Sequence, residues 1–129
     1  REAAYRDTRT TYTVTNELLD LPKPPTCILY PDDFAALGGI NELHERGLRI
    51  PDDISIAGYD GLTFARILEP RLTTLCQDTE AIGRLAAQKL IDLIEDPKTT
   101  IIDKFTVDGQ LFPGASVRDL RKQESKERI

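Results

Sequence analysis

With 129 residues, 40% of them hydrophobic, the chain has the size of one domain and enough apolar content to bury a core. A formal net charge of −5 argues against a nucleic-acid surface here, because a phosphate-binding face needs clustered Lys and Arg to displace counterions. No apolar run approaches the roughly 20 residues of a membrane span, and the opening REAAYRDTRT has no apolar signal-peptide core, so a soluble, cytoplasmic protein without membrane contact is expected.

In chain order, residues 10–20 (TTYTVTNELLD) place Tyr12, Val14, Leu18 and Leu19 at loosely helical spacing. LPKPP at 21–25 then stops that helix, since proline cannot continue it. TCILY at 26–30 is too short and too β-favouring for a helix and is expected to be a buried strand. Asp32 or Asp33 caps the helix that follows, and capping is the favoured role for Asp33. From Phe34 on, Leu37, Ile40 and Leu43 recur at helical spacing with Glu42, Glu45 and Arg46 between them, and Gly47 supplies a stop. Gly38 and Gly39 sit inside this pattern, where small residues permit close helix packing. Ile54 to Tyr59 is the next buried strand, so residues 26–59 form one strand, helix, strand unit with parallel strands and a right-handed crossover.

That order puts Asp32, Asp33 and Asp60 at the carboxyl ends of two parallel strands, where open α/β sheets bind ligands. Asp60 is therefore a candidate ligand group, with Gly58 and Gly61 allowing close approach or a sharp turn; the competing reading is a cap on the helical turn GLTFARIL. Clustered strand-end carboxylates would also suit Mg²⁺, as in phosphotransfer domains, but no suitably placed catalytic Lys accompanies them. His44 is a lone imidazole among charged neighbours, and Ser55, Ser116 and Ser125 lack a nucleophile-elbow context. No enzyme, cofactor or metal is expected. Cys27 and Cys76 lie in apolar, strand-like surroundings and are expected as reduced core thiols. The helix expected at 79–95 carries Ile82, Leu85, Ala86, Leu90, Leu93 and Ile94 on one face, a stripe that needs a cover. The sequence contains no Met and opens in a polar segment without a turn or cap, so a fragment or processed product is expected.

The segments DDFAALGG, RGLRIPDDISIAGYDG, PRLTTLCQD and IGRLAAQKLIDLI, in this order over residues 26–97, resemble the C-terminal part of the effector-binding domain of LacI/GalR-type transcriptional regulators. The resemblance implies an α/β fold: a parallel-sheet, Rossmann-like subdomain of a periplasmic-binding-protein-like (type I) fold, present as an incomplete fragment. It implies that residues 1–77 belong to the second subdomain, that 78–108 supply a helix and a strand to the first, and that 109–118 return to the second. By composition, residues 119–129 are expected to be a charged, solvated tail rather than a binding tail. By the same resemblance Asp60 accepts hydrogen bonds from a sugar-like effector. Asp32 stands where the family usually has an effector-contacting Asn, which leaves room for an amino-bearing or cationic effector. Gln77 lies at a crossover between subdomains, and Tyr5 falls near an aromatic stacking position.

The resemblance also implies a homodimer, paired through the helix face at Leu37, Ile40, Asn41 and His44 together with the segment that holds Phe64, Ile67 and Leu68; the plain alternative is that the apolar residues of that segment plug the sheet end as core. The implied function is effector sensing and dimerisation in a regulator that reaches operator DNA through a helix-turn-helix domain outside this chain. A periplasmic sugar-binding protein of the same fold is the alternative.

Overall fold

The computed structural model describes residues 7–98 and 103–120. They fall into two compact units, one of residues up to Cys76 together with those from Leu111 on, the other Gln77–Gln110.

The first unit opens with helix α1, Thr8–Leu19, which starts earlier than the apolar spacing implies because the Asp7 carboxylate accepts the Thr10 N–H at 2.9 Å and caps it. Strand β1 is Cys27–Leu29, helix α2 is Asp33–Glu45, strand β2 is Ser55–Asp60 and strand β3 is Thr73–Cys76. A short 3₁₀ turn, Thr63–Arg66, links β2 to β3. The sheet has four strands in the order β1-β2-β3-β4, with β4 at Gln110–Phe112. Strands β1 and β2 are parallel in the register Ile28↔Ile56, as the strand, helix, strand reading requires, and β2 and β3 are parallel in the register Asp60↔Cys76. Helix α2 ends as its sequence implies. Gly47 takes φ 69°, its N–H reaches His44 O at 3.0 Å and Leu48 N–H reaches Leu43 O at 2.9 Å, so the last carbonyls are satisfied by a left-handed glycine.

The core consists of Ile28, Tyr30, Ala35, Ala36, Leu43, Ile54, Ile56, Ala65 and Leu72, and each large aliphatic among them contributes about 1.5–3 kcal/mol by leaving water. Helix α1 lies mainly on α2, and its Leu18 and Leu19 reach the edge of this core. Gly38 makes that approach possible, since Thr8 O and Thr11 Oγ1 occupy the place a Cβ would take, and Gly39 does the same for the Tyr30 hydroxyl. Hydrogen bonds fix the contact: Thr11 Oγ1 donates to Ala35 O at 2.6 Å, Thr15 and Tyr30 hydroxyls pair at 2.9 Å, and Asn16 donates to the buried Glu42 at 2.8 Å. Arg46 completes the network by donating to Glu42 at 2.6 Å and to Asp20 at 2.8 Å.

Two expectations need correction. TCILY is not buried throughout: Ile28 and Tyr30 face α2, whereas Leu29 is 73% exposed and Cys27 is exposed, so Cys27 is not a core thiol. A strand turns alternate side chains to opposite faces, and among the described residues only the α2 side of β1 is covered. Cys76 is partly buried, and both thiols are free, as expected. Asp33 is not the cap of α2; Asp32 is, accepting Ala35 N–H at 2.8 Å.

The second unit carries helix α3, Thr79–Glu95, capped by Asp78 through Ala81 N–H at 2.9 Å. Its apolar stripe is real, but among the described residues it is covered only in part: no α3 residue is fully buried, Leu85 and Leu93 are half-buried, and Ile94 is 70% exposed. Phe105 lies beside α3, with Lys89 Nζ 4.8 Å from its ring centroid. No helix among the described residues is long and apolar enough to cross a membrane.

Candidate binding site

Three adjacent parallel strands end on one edge of the first unit, and the residues that follow them form the candidate site. Asp60 is the last residue of β2, half-buried, and takes φ 107°; Gly61 follows at φ 74°. Positive φ is open to glycine and costs an L residue of order 1–3 kcal/mol. Two buried side chains catch the backbone just after this kink. Gly61 N–H donates to Thr74 Oγ1 at 3.2 Å, and Leu62 N–H donates to Asp33 Oδ2 at 2.7 Å. Thr74 and Asp33 are 1% and 0% exposed.

Asp32 is also fully buried, with Oδ1 committed to the first turn of α2, where the helix dipole favours a negative charge. Gln77 is half-buried and heads the second unit. Tyr5 lies outside the described residues. Of the four ligand candidates, the structure thus places Asp60 and Asp32 at the carboxyl ends of neighbouring strands of one sheet. Among the described residues no group of three or more His, Cys, Asp or Glu side chains is placed to hold a metal ion. An ionised carboxylate at Asp60 can accept from two hydroxyls at once, which suits a polyol.

Asp33 and Thr74, which hold the backbone after Asp60, were not singled out as effector-contacting residues from the sequence, where Asp33 was favoured as a cap and Thr74 was only part of a motif. Burial pushes the Asp33 carboxyl up from its ordinary value of 3.8, against the pull of the Thr74 hydroxyl and the Leu62 amide, and the nearby Asp60 pushes it further up. Between 3.8 and that raised value the folded chain holds a proton that the unfolded chain has released. The stability this adds is present in full below 3.8 and is lost as pH rises through the folded value. Asp33→Asn removes the charge and keeps an acceptor. Its stability relative to the parent is therefore expected to improve as pH rises from about 4 towards 7, which urea denaturation across that range checks; a difference independent of pH would contradict it.

The residues considered for dimerisation divide. Ile40 and Leu68 pack against the core, Leu37 is half-buried, and the half-buried Phe64 sets its ring 5.0 Å from that of Phe34. Asn41 and His44 are exposed, and Ile67 is 79% exposed.

Residues 1–117 match the family model of the periplasmic binding protein-like domain. The chain is 41% identical over 114 residues to the probable HTH-type transcriptional repressor ExuR of Bacillus subtilis, covering 88% of this chain and 34% of that protein. In structure it resembles a putative transcriptional regulator LacI from Bacillus cereus subsp. cytotoxis, with TM-score 0.81 and 26% identity over 87% of this chain and 39% of that one. It also resembles a LacI family transcriptional regulator from Enterococcus faecium with bound ribose, with TM-score 0.76 and 30% identity over 86% of this chain and 40% of that one. The chain thus spans about a third of the length of the curated repressor.

Proposed function

Because the chain belongs to the periplasmic-binding-protein-like domain family, in the company of LacI-type regulators, we propose that it is part of the effector-sensing domain of a DNA-binding transcriptional regulator. Its effector is a sugar or related polar metabolite, and Asp60 accepts hydrogen bonds from the effector's hydroxyls. The observation that carries this reading is Asp60 itself, a carboxylate held at φ 107° where a parallel strand ends. Strain of this kind persists where the surroundings over-determine it, which is common at ligand sites. The ribose-bound relative supports a sugar as the class of ligand. Asp32, Gln77 and Tyr5 are secondary candidates, and Asp32 acts through the α2 terminus it caps rather than as an open side chain.

Residues 1–77 and 109–118 form the second subdomain and 78–108 contribute to the first; the division of the chain into compact units after Cys76 and after Gln110, within two residues of these boundaries, supports this partition. Effector binding between subdomains favours one of their relative orientations, and that preference is passed to a DNA-binding head elsewhere in the regulator. The net charge of −5 is consistent with DNA contact lying outside this stretch. The regulator pairs as a homodimer through Asn41, His44 and Ile67, with the half-buried Leu37, Ile40, Phe64 and Leu68 backing that face. Ile67→Glu in the full-length protein is expected to shift the mass in solution from dimer to monomer at micromolar concentration with the fold retained, as light scattering and circular dichroism would report. An unchanged dimer would remove Ile67 from the interface.

Calorimetric titration of the full-length protein with D-ribose, other neutral mono- and disaccharides, and Mg²⁺ tests the function. Saturable binding of a sugar that also changes operator affinity is the expected result. Binding of Mg²⁺ alone, lost in Asp60→Ala, would replace this reading with that of an acidic metal-binding domain.

A further inference from the structure

We infer that Asp33 and Thr74 form a two-point clamp that fixes the backbone after Asp60 and so aims the Asp60 carboxylate, which makes them positioning residues for ligand binding; this rests on the reading of Asp60 given above.

Asp60 at φ 107° and Gly61 at φ 74° form a kink that needs an external restraint. The restraint acts on consecutive amides. Gly61 N–H is held by Thr74 of the neighbouring strand β3, and Leu62 N–H by Asp33 from the start of α2. Asp33 and Thr74 are rooted in different elements, so the kink is tied at once to the strand on one side and to the helix packed on the sheet. Buried groups of this kind hold their geometry because an unpaired partner would have no water to turn to.

Gly58 has the matching requirement. A Cβ there would collide with Asp33 Oδ1 and come within 3.0 Å of Leu72 Cδ2, so the glycine leaves room for Asp33 beside the strand that ends in Asp60. Asp33 Oδ1 is buried without a hydrogen-bond partner. A carboxylate kept here only to cap a helix would have no reason to sit in this way, and the cap is already supplied by Asp32.

Amide hydrogen exchange on the full-length protein, read at Gly61 and Leu62 with Ile56 in β2 as reference, tests the clamp without any ligand. Thr74→Val keeps the side-chain volume and removes the hydroxyl, whereas Thr74→Ser keeps the hydroxyl and loses a methyl. Exchange at Gly61 is expected to speed up about 10-fold in Thr74→Val and to stay within about 3-fold of the parent in Thr74→Ser, with Ile56 unchanged in both. Asp33→Ala is expected to do the same to Leu62, and Asp33→Asn to restore its protection.

Fast exchange at both amides in the parent, or equal effects of Val and Ser at position 74, would overturn the clamp; the parent measurement decides even where a variant fails to fold. D-ribose titration of the same proteins supplies the functional arm. Affinity is expected to drop about 10-fold in Thr74→Val and to be retained in Thr74→Ser. Ribose binding that Asp60→Ala abolishes but Thr74→Val leaves intact would overturn the positioning role alone. Ribose binding insensitive to Asp60→Ala would instead overturn the site assignment on which it rests.

Discussion

Replacing Asp60 by alanine in the full-length protein is expected, on the proposed effector-sensing role, to weaken sugar binding by about 1.5–3 kcal/mol, the scale of a hydrogen bond to a charged group, which is roughly a 10- to 150-fold rise in Kd. Asp60→Gly separates binding from strain more sharply. Glycine adopts positive φ without steric penalty, so relieving the backbone at φ 107° should raise stability by about 1 kcal/mol or more while binding is lost as in Asp60→Ala. A gain in stability with a loss of affinity is the signature of a residue retained for its chemistry in spite of its backbone. Calorimetry and urea denaturation on the same samples measure both. An Asp60→Gly protein that is more stable and binds the sugar as tightly as the parent would reduce Asp60 to a turn residue.

Ser116→Ala is expected to be the most damaging conservative change in the sheet, at about 2–4 kcal/mol. Ser116 is fully buried. Its hydroxyl donates to Ile56 O at 2.7 Å and accepts Thr73 N–H at 2.8 Å, and its carbonyl accepts Ile56 N–H at 2.9 Å. One residue of the returning segment thus bridges β2 and β3. Alanine leaves a buried amide and a buried carbonyl without this partner, each costing about 1–3 kcal/mol. Gly114 makes the bridge reachable, since at φ 51° it passes against the backbone of Arg71, Leu72 and Thr73, with Arg71 O and Thr73 N each 2.6 Å from where a Cβ would sit. A midpoint in urea shifted by less than the equivalent of about 0.5 kcal/mol would contradict this account.

The parallel unit of residues 26–59 was legible because its signals are local: an apolar run, a helical period closed by Gly47, and a second apolar run. Asp60 was legible as a strand-end carboxylate for the same reason. Cys27 and Leu29 were misplaced because a three-residue strand is too short to display its alternation, and a run apolar on both faces looks the same whether or not both faces are covered. Asp32 and Asp33 stand side by side with identical chemistry, and which of them caps α2 depends on the rotation of the helix start against β2. That rotation sends Asp33 to Leu62, 29 residues on, a contact no local pattern encodes. Thr74 and Ser116 act through the register of β3 and through a partner 60 residues away. Neither residue type announces such a role by its neighbours in sequence.

The most direct test of the proposed role of Asp60 is the crystal structure of the full-length protein with the sugar that calorimetry identifies. The account predicts the Asp60 carboxylate within about 2.6–3.2 Å of one or two sugar hydroxyls, with Asp60 still at positive φ and Leu62 N–H still on Asp33. A sugar bound elsewhere, or one that leaves Asp60 facing solvent, would contradict it.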